Sequence, residues 1–256
     1  MALSIIIVSF NTKKYLRNCL DSLYRDNVNT EVIVVDNGSS DGSQNMVKSF
    51  FPQVKLIQNK KNFGFGKANN IGVANSCGEI IFFLNSDTIV PKGILKKIIK
   101  FFQKYPRAGV MAPLVKLPSG EIQPYSFGED TSLFGLIRDK FLKAKFEAKT
   151  QKVDWVTGAA LCCRRNVFNQ ISGFDENFFM YFEDNDLCVR ARKLGFPVYL
   201  YSGAEIIHFG GKSIESSHLR SDVYFKSQEY FFKKHYGLIG LLLVKIFRAP
   251  YRIFKK

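Results

Sequence analysis

Ile80-Ile81-Phe82-Phe83-Leu84-Asn85-Ser86-Asp87 is an unbroken apolar run that ends abruptly in two small polar residues and a carboxylate. A short run of this kind reads as a strand buried on both faces, as in a parallel sheet covered by helices. The switch at Asn85 then puts Asp87 at the mouth of the sheet, where open α/β folds bind ligands, and not on a solvated loop. A carboxylate there can hold a hard divalent cation together with a substrate diphosphate.

Working outward, the pattern repeats. Leu3 to Ser9, Glu31 to Asp36 and Val54 to Gln58 read as three earlier strands, all expected to be buried on both faces. Between them lie helix-like stretches: Lys13 to Arg25, with Leu16, Leu20 and Leu23 on one face, a second ending near Phe50, and Lys67 to Asn75. This alternation predicts a doubly wound α/β half reaching about Pro113. Downstream the order is less regular. Pro118-Ser119-Gly120 is a turn, Phe134 to Lys149 is basic and aromatic, Val153 to Cys163 is strand-like, Glu183 to Leu194 is a helix and Pro197 to Tyr201 another strand. From Leu238 to Phe247 the chain is almost wholly apolar.

Composition bounds the partners. The 256 residues are 46% hydrophobic and 23% charged, which is globular and excludes a disordered chain. Lys and Arg number 37 against 22 acids, a net charge of +15, so an anionic partner is expected: nucleic acid, phospholipid or a phosphorylated metabolite. Five scattered cysteines, with Cys162 and Cys163 adjacent and no Cys-x-x-Cys pair, favour a reduced chain without structural zinc. Met1 to Ser4 carries no basic segment and the apolar run after it is too short for a secretory signal, so a cytoplasmic location is expected.

Polar residues collect beyond three strand ends: Ser9-Phe10-Asn11, Asp36-Asn37-Gly38-Ser39 and Asn85-Ser86-Asp87. Each alone is also what turns and helix caps are made of; together they outline a crevice. Two phosphate-loop candidates fail. Gly64-Phe65-Gly66-Lys67-Ala68-Asn69 lacks the third glycine of the dinucleotide fingerprint, and Gly211-Lys212-Ser213 has Ile206 where a phosphate loop needs its first glycine. Glu183-Asp184-Asn185-Asp186 puts three acids at a helix start, where capping is the ordinary role. The preceding Phe178-Phe179-Met180-Tyr181-Phe182 is an apolar wall that would raise a carboxyl pKa toward that of a general base. His208 falls at the end of a strand-like segment.

In this order the motifs resemble the inverting glycosyltransferases of family 2, which have the GT-A fold. The first half carries Ser9-Phe10-Asn11, Val35 to Ser43, Asn62-x-Gly64-Phe65 and Leu84 to Asp87. The second carries Trp155 to Ala159, Gly173-x-Asp175-Glu176, Glu183-Asp184-x-Asp186-Leu187 and His208-x-x-Gly211-Lys212-Ser213, as in the rhamnosyltransferase-like branch. The resemblance implies a mixed, mostly parallel sheet flanked by helices. Residues 1–113 would be the nucleotide-sugar half, 114–235 the acceptor and catalytic half, and 236–256 an amphipathic, basic helical tail. It implies that Ser9, Asn11 and Asp36 hold base and ribose, and that Asn62, Gly64, Phe65, Asn69, Asn85 and Ser86 line the donor site. Asp87 and His208 would hold Mg²⁺ or Mn²⁺, with Asn85 standing where the family has its first metal-motif acid. Asp184 matches the base, Glu183 is the alternative, and Trp155, Thr157 and Gly158 would shape the acceptor side.

The expected activity is therefore transfer of a sugar, rhamnose from dTDP-rhamnose or else the sugar of a UDP donor, onto a glycan or lipid-linked acceptor in cell-surface polysaccharide synthesis. A catalytically inactive donor-binding scaffold and a basic nucleic-acid-binding protein are the alternatives; the latter is disfavoured because the aromatics sit in apolar runs. From Lys212 onward ten Lys and Arg face three acids, a net +7, so nearly half of the excess charge lies beyond the sheet. A tail of this kind is too short and too interrupted to span about 30 Å of hydrocarbon, but suits an interfacial helix on the anionic inner face of a membrane.

Overall fold

The computed structural model describes residues 2–26, 28–129, 132, 135, 149–210 and 217–253, excepting the side chains of 217–220 and 250–253. The first half follows the β-branched runs: β1 (Leu3–Ser9), α1 (Lys13–Leu23), β2 (Thr30–Asp36), α2 (Ser43–Phe50), β3 (Lys55–Gln58), α3 (Phe65–Ala74), β4 (Ile80–Asn85), β5 (Thr88–Ile89), α4 (Ile94–Lys104) and β6 (Val110–Lys116). The second half adds β7 (Phe127–Gly128), β8 (Gln151–Val153), β9 (Trp155–Val156), β10 (Ala160–Arg164), α5 (Arg165–Gln170), α6 (Glu183–Lys193), β11 (Val198–His208) and α7 (Ser217–Ile253).

The main sheet runs β3-β2-β1-β4-β10-β6-β11-β5, with β8 on the other end of β11. β3, β2, β1 and β4 are parallel, as are β6 and β11; β10, β5 and β8 run against their neighbours. It is thus a mixed, mostly parallel sheet, and β6 carries it through residue 113. Alternate side chains of each central strand face opposite ways. Ile5, Ile7, Phe82 and Leu84 pack under α1, α2 and α4. Ile6, Ile81 and Phe83 pack under α3, α5 and α6. Adjacent Cys162 and Cys163 obey the same rule, one in each core.

Three expectations are revised. β3 is not buried on both faces, because it is an edge strand with Lys55 and Gln58 exposed. Val153 to Cys163 is not one strand: the ends of β8, all of β9 and most of β10 belong to three ladders, and β9 pairs with β7 in a separate two-stranded sheet. The strand expected to stop at Tyr201 continues to His208, with an irregularity between Tyr201 and Glu205 that the alternation of side chains conceals.

α7 is two helices meeting at Gly237, whose φ of 68° breaks the helical path. The second arm folds back on the first: Val244 joins Phe231 and Phe232, while Lys245 and Arg248 pair with Glu229. The hairpin docks on the segment before α6 through Phe178, Phe182 and Val189. Charge fixes the register. Fully buried Asp186 receives Arg190, Lys234 and His235, and Asp175 receives Lys234 and Tyr230.

Burial pushes the Asp175 carboxyl up, but Lys234, Asn177 and Tyr230 outweigh it and bring it down to about 2. A folded pKa below the unfolded value of about 3.9 stabilises above that value and is lost as pH falls through the folded one. Asp175→Asn should therefore lower stability at pH 7 and cost progressively less toward pH 2. Urea melts across this range test it, and a cost independent of pH would remove the Asp175 charge from the docking of α7.

Candidate active site

The polar residues that follow the parallel strands meet at one edge because the strands share register: Ser9 pairs with Asp36, and Val8 with Asn85. Beyond them opens a cavity of about 640 Å³. Asn85, Ser86, Asp87 and His208 line it, and so do Gly158, Glu183 and Asp184.

His208 reaches Asp87 because the end of β11 pairs with β5, His208 opposite Thr88. The tight turn at Pro118-Ser119-Gly120 returns the chain from β6 and brings Gln123 alongside. Gln123 Oε1 lies 2.7 Å from His208 Nδ1, which assigns the ring proton to Nδ1. In the neutral ring Nε2 is then a lone pair. It accepts from Asn85 Nδ2 at 3.2 Å and also faces Asp87 Oδ1 at 3.1 Å. Two buried electron-rich atoms aimed at one point is the arrangement a cation would relieve. Among the described residues no group of three or more His, Cys, Asp or Glu forms a metal-binding cluster, so the protein offers this pair and the Asn85 amide.

On the donor side, Ser9, Thr12 and Ser86 form a chain of buried hydroxyls, 3.0 and 2.8 Å apart. Asp36 accepts Gly38 N–H, Ser39 N–H and Gln44 through Oδ1, leaving the buried Oδ2 without a partner. Asn11, with a φ of 53°, accepts Ser40 N–H and ties the two loops together. Asn37 donates to Asn62 and to the Gly64 carbonyl, and Asn62 accepts Gly64 N–H. At Gly64 the backbone lies at φ 84° and ψ 178°, a region essentially open only to glycine, and Phe65 N–H donates to the Phe179 carbonyl. That contact, together with Asn70 bonded to the Phe174 backbone and Lys67 paired with Glu176, joins the donor side to the segment before α6. Asn69 donates to the Phe65 carbonyl, with its Oδ1 buried and unpartnered.

The three acids of the α6 start divide their roles. Asp186 points away and anchors α7. Asp184 Oδ2 accepts Gly158 N–H at 2.7 Å and Oδ1 accepts Asn185 N–H at 2.8 Å. Burial nevertheless outweighs these bonds and raises its pKa. Glu183 is buried with no partner for Oε2, and burial together with Asp184 pushes its carboxyl well above the usual range. Glu183 therefore takes a proton first and Asp184 remains the carboxylate. Tyr181 and Phe182, immediately before, both have positive φ, of 69° and 66°, a strain that the hairpin packing holds in place.

Of the residues expected from sequence, Asn62, Gly64, Phe65, Asn85, Ser86, Asp87, Trp155, Thr157, Gly158, Glu183, Asp184 and His208 line the cavity. Ser9, Asp36 and Asn69 are buried and do not line it, and Asn11 is exposed and does not line it either. Asn37, Gln123, Tyr125, Tyr181 and Tyr224 also line it and were not expected to. Asn37 lay inside a quoted motif, whereas Gln123, Tyr125 and Tyr224 reach the cavity only by tertiary folding.

A nucleotide-sugar transferase fold whose one cavity is lined by a buried carboxylate and a His–Asp pair defines a class. The profile of the family described as Glycosyl transferase family 2 matches residues 4–171, more than half of the chain, and the chain belongs to that family. It is a glycosyltransferase. The chain is 28% identical over 235 residues to N-acetylglucosaminyl-diphospho-decaprenol L-rhamnosyltransferase of Mycobacterium tuberculosis, covering 80% of this chain and 75% of that one. It is also 28% identical over 220 residues to rhamnosyltransferase WbbL of Escherichia coli, covering 80% and 82%. The fold matches the Pyrobaculum calidifontis mannosyltransferase solved with GDP-Man and Mn²⁺ (TM-score 0.66, 17% identity, 91% of this chain and 63% of that one). It likewise matches residues 1–349 of S. aureus TarS solved with UDP-GlcNAc (TM-score 0.65, 21% identity, 90% and 65%).

A Cβ at Gly64 would stand 2.3 Å from the Phe179 carbonyl oxygen, on backbone that only glycine accepts easily. Gly64→Ala should cost about 1–3 kcal/mol or more of stability, read by urea denaturation. An unchanged midpoint would mean that this contact does not hold the two sides together.

Proposed function

We propose that the protein is a metal-dependent inverting glycosyltransferase that moves rhamnose from dTDP-rhamnose, or failing that the sugar of a UDP donor, to a glycan or lipid-linked acceptor in cell-surface polysaccharide synthesis. The observation that carries the proposal is that Asp184 and the Asp87–His208 pair line one cavity. The dTDP-rhamnose assignment is supported by the two rhamnosyltransferase relatives.

In this reading Asp184 accepts the proton of the acceptor hydroxyl as that oxygen attacks the anomeric carbon. The bond from that carbon to the diphosphate oxygen breaks on the opposite face, which inverts the centre. Asp87 and His208, with Asn85, would hold Mg²⁺ or Mn²⁺, which supplies neutralisation of the departing diphosphate. The lone pair of His208 Nε2 against Asp87 Oδ1 fits such a group. Asn62, Gly64, Phe65, Asn85 and Ser86 would face the donor; Asp36, through its unpartnered Oδ2, and Asn11 would meet its nucleoside end, with buried Ser9 and Asn69 in support. Trp155, Thr157 and Gly158 would border the acceptor. Residues 1–113 then supply the donor half and 114–235 the acceptor half.

The tail would attach the enzyme peripherally to the inner face of the membrane. No described helix is long and apolar enough to cross one. The second arm of α7 turns Val244 and Arg248 inward and presents Leu238, Ile239, Leu242, Leu243, Ile246 and Phe247 outward, with Ile239 74% exposed. Residues 236–256 hold five basic residues and no acid, which suits anionic lipid. Nucleic acid is not needed to account for the charge.

Asp184→Asn should lower transfer by about 10²–10⁴ while UDP or dTDP binding, followed by thermal shift with Mn²⁺, persists. Because Asp184 must be ionised and its pKa is raised, transfer should rise with pH through a value above the ordinary carboxylate range. Normal transfer by the variant would overturn Asp184 as base. For the tail, full-length protein should sediment with anionic vesicles and a chain ending at residue 236 should not; equal sedimentation would remove the tail from membrane binding.

A further inference from the structure

Tyr125, Tyr181 and Tyr224 reach the cavity from three separate segments: the loop after β6, the segment before α6 and the first arm of α7. Trp155 of β9 also lines it. Tyr224 lies 5.6 Å from Tyr181, edge to face, and 5.3 Å from Phe182, tilted, between ring centroids. Burial, then the neighbouring phenols of Tyr125 and Tyr181, hold Tyr224 above its ordinary value. Neither Tyr125 nor Tyr224 is needed for the core: Tyr125 is 71% exposed and Tyr224 37%.

The backbone is strained to present them. Tyr125 has a φ of 57° and Tyr181 of 69°, left-handed conformations that are outliers for bulky residues and persist only when the surroundings enforce them. Two such residues at one cavity point to use, because a solvent-facing loop gains nothing from tyrosine in that conformation. Phenols also fit one class of ligand better than another. A hydrocarbon chain needs apolar surface alone, whereas an aromatic face edged by hydroxyls matches a sugar ring, with its C–H face and equatorial hydroxyls. Tyr181 lies three residues before Asp184 and Trp155 three before Gly158, so two of the rings are carried on the segments that deliver the proposed base and its Gly158 partner.

Resting on the proposed transfer reaction, we infer that Tyr125, Tyr181 and Tyr224 form the binding platform for the pyranose ring of the acceptor, with α7 supplying one of its walls. The first arm of α7 is thereby part of the active site, and acceptor choice is set partly by residues outside the matched family segment, which ends at residue 171.

The test uses the full chain and octyl N-acetylglucosaminide as probe. Trp155, the sole tryptophan, reports binding by its fluorescence, and saturation-transfer NMR shows which part of the probe touches protein. The expected result is saturation concentrated on ring protons, with Tyr125→Ala and Tyr224→Ala each weakening binding by about tenfold and Tyr224→Phe by less. UDP or dTDP binding, followed by thermal shift, should be unchanged in all three. Saturation concentrated on the octyl chain, wild-type affinity in both alanine variants, or no binding of the probe by the wild type would overturn the platform. Loss of nucleotide binding in the same variants would also overturn it, by showing a structural role. Failure of the wild type to bind any nucleotide would instead count against the transferase reading, so the two failures are distinguishable.

Discussion

Everything at the site depends on β10 lying antiparallel between β4 and β6. A sheet built only from the repeating parallel units would place donor-side loops at its edge and nothing opposite them. β10 pairs Ala160 with Leu84 and Cys162 with Met111, so it joins the two halves through the middle of one sheet. Because it runs the other way, the residues that precede it arrive where β4 ends. Asn85 N–H donates to the Ala159 carbonyl, and one residue earlier Gly158 N–H donates to Asp184. The end of β4 and the proposed base are thus held by neighbouring residues of one short segment, through the backbone N–H of Asn85 and that of Gly158.

A second constraint is the use of burial to separate chemically identical groups. Asp184, Glu183 and Asp186 lie within four residues, yet the first accepts two backbone N–H bonds at the cavity, the second is buried with an oxygen unpartnered, and the third is neutralised by Arg190, Lys234 and His235. The α7 hairpin therefore does two things at once. It removes one acid from the site and, through Phe231 and Ser227, packs against the strained segment that delivers the other two. Charge that is excessive over the whole chain is used locally in pairs, as Lys245 and Arg248 of the outer arm with Glu229 show.

Much of this was legible in sequence because it is local. The unbroken run at Ile80 to Leu84 and the boundaries of β1 follow from apolar burial on two faces, and a period read along the chain needs no knowledge of partners. The ordered motifs likewise identified family and fold. Within the acid cluster the sequence showed three carboxylates but not which faced the cavity, because helical position relative to α7 decides that. Gln123 carried no signal: it matters only because a turn returns it to the end of β11. Likewise the edge position of β3 and the division of Val153 to Cys163 among three ladders depend on which strands lie alongside.

The sequence by itself determined the alternation of strands and helices, the polar strand ends and the family, since each is a pattern in neighbouring residues. Only the tertiary structure decided that Asp87 meets His208, that Asp184 and not Asp186 faces the cavity, and that tyrosines from three segments line it. These are pairings between residues from about 26 to 121 positions apart. Their energies exist only once the sheet has closed, so no local pattern in the chain records them.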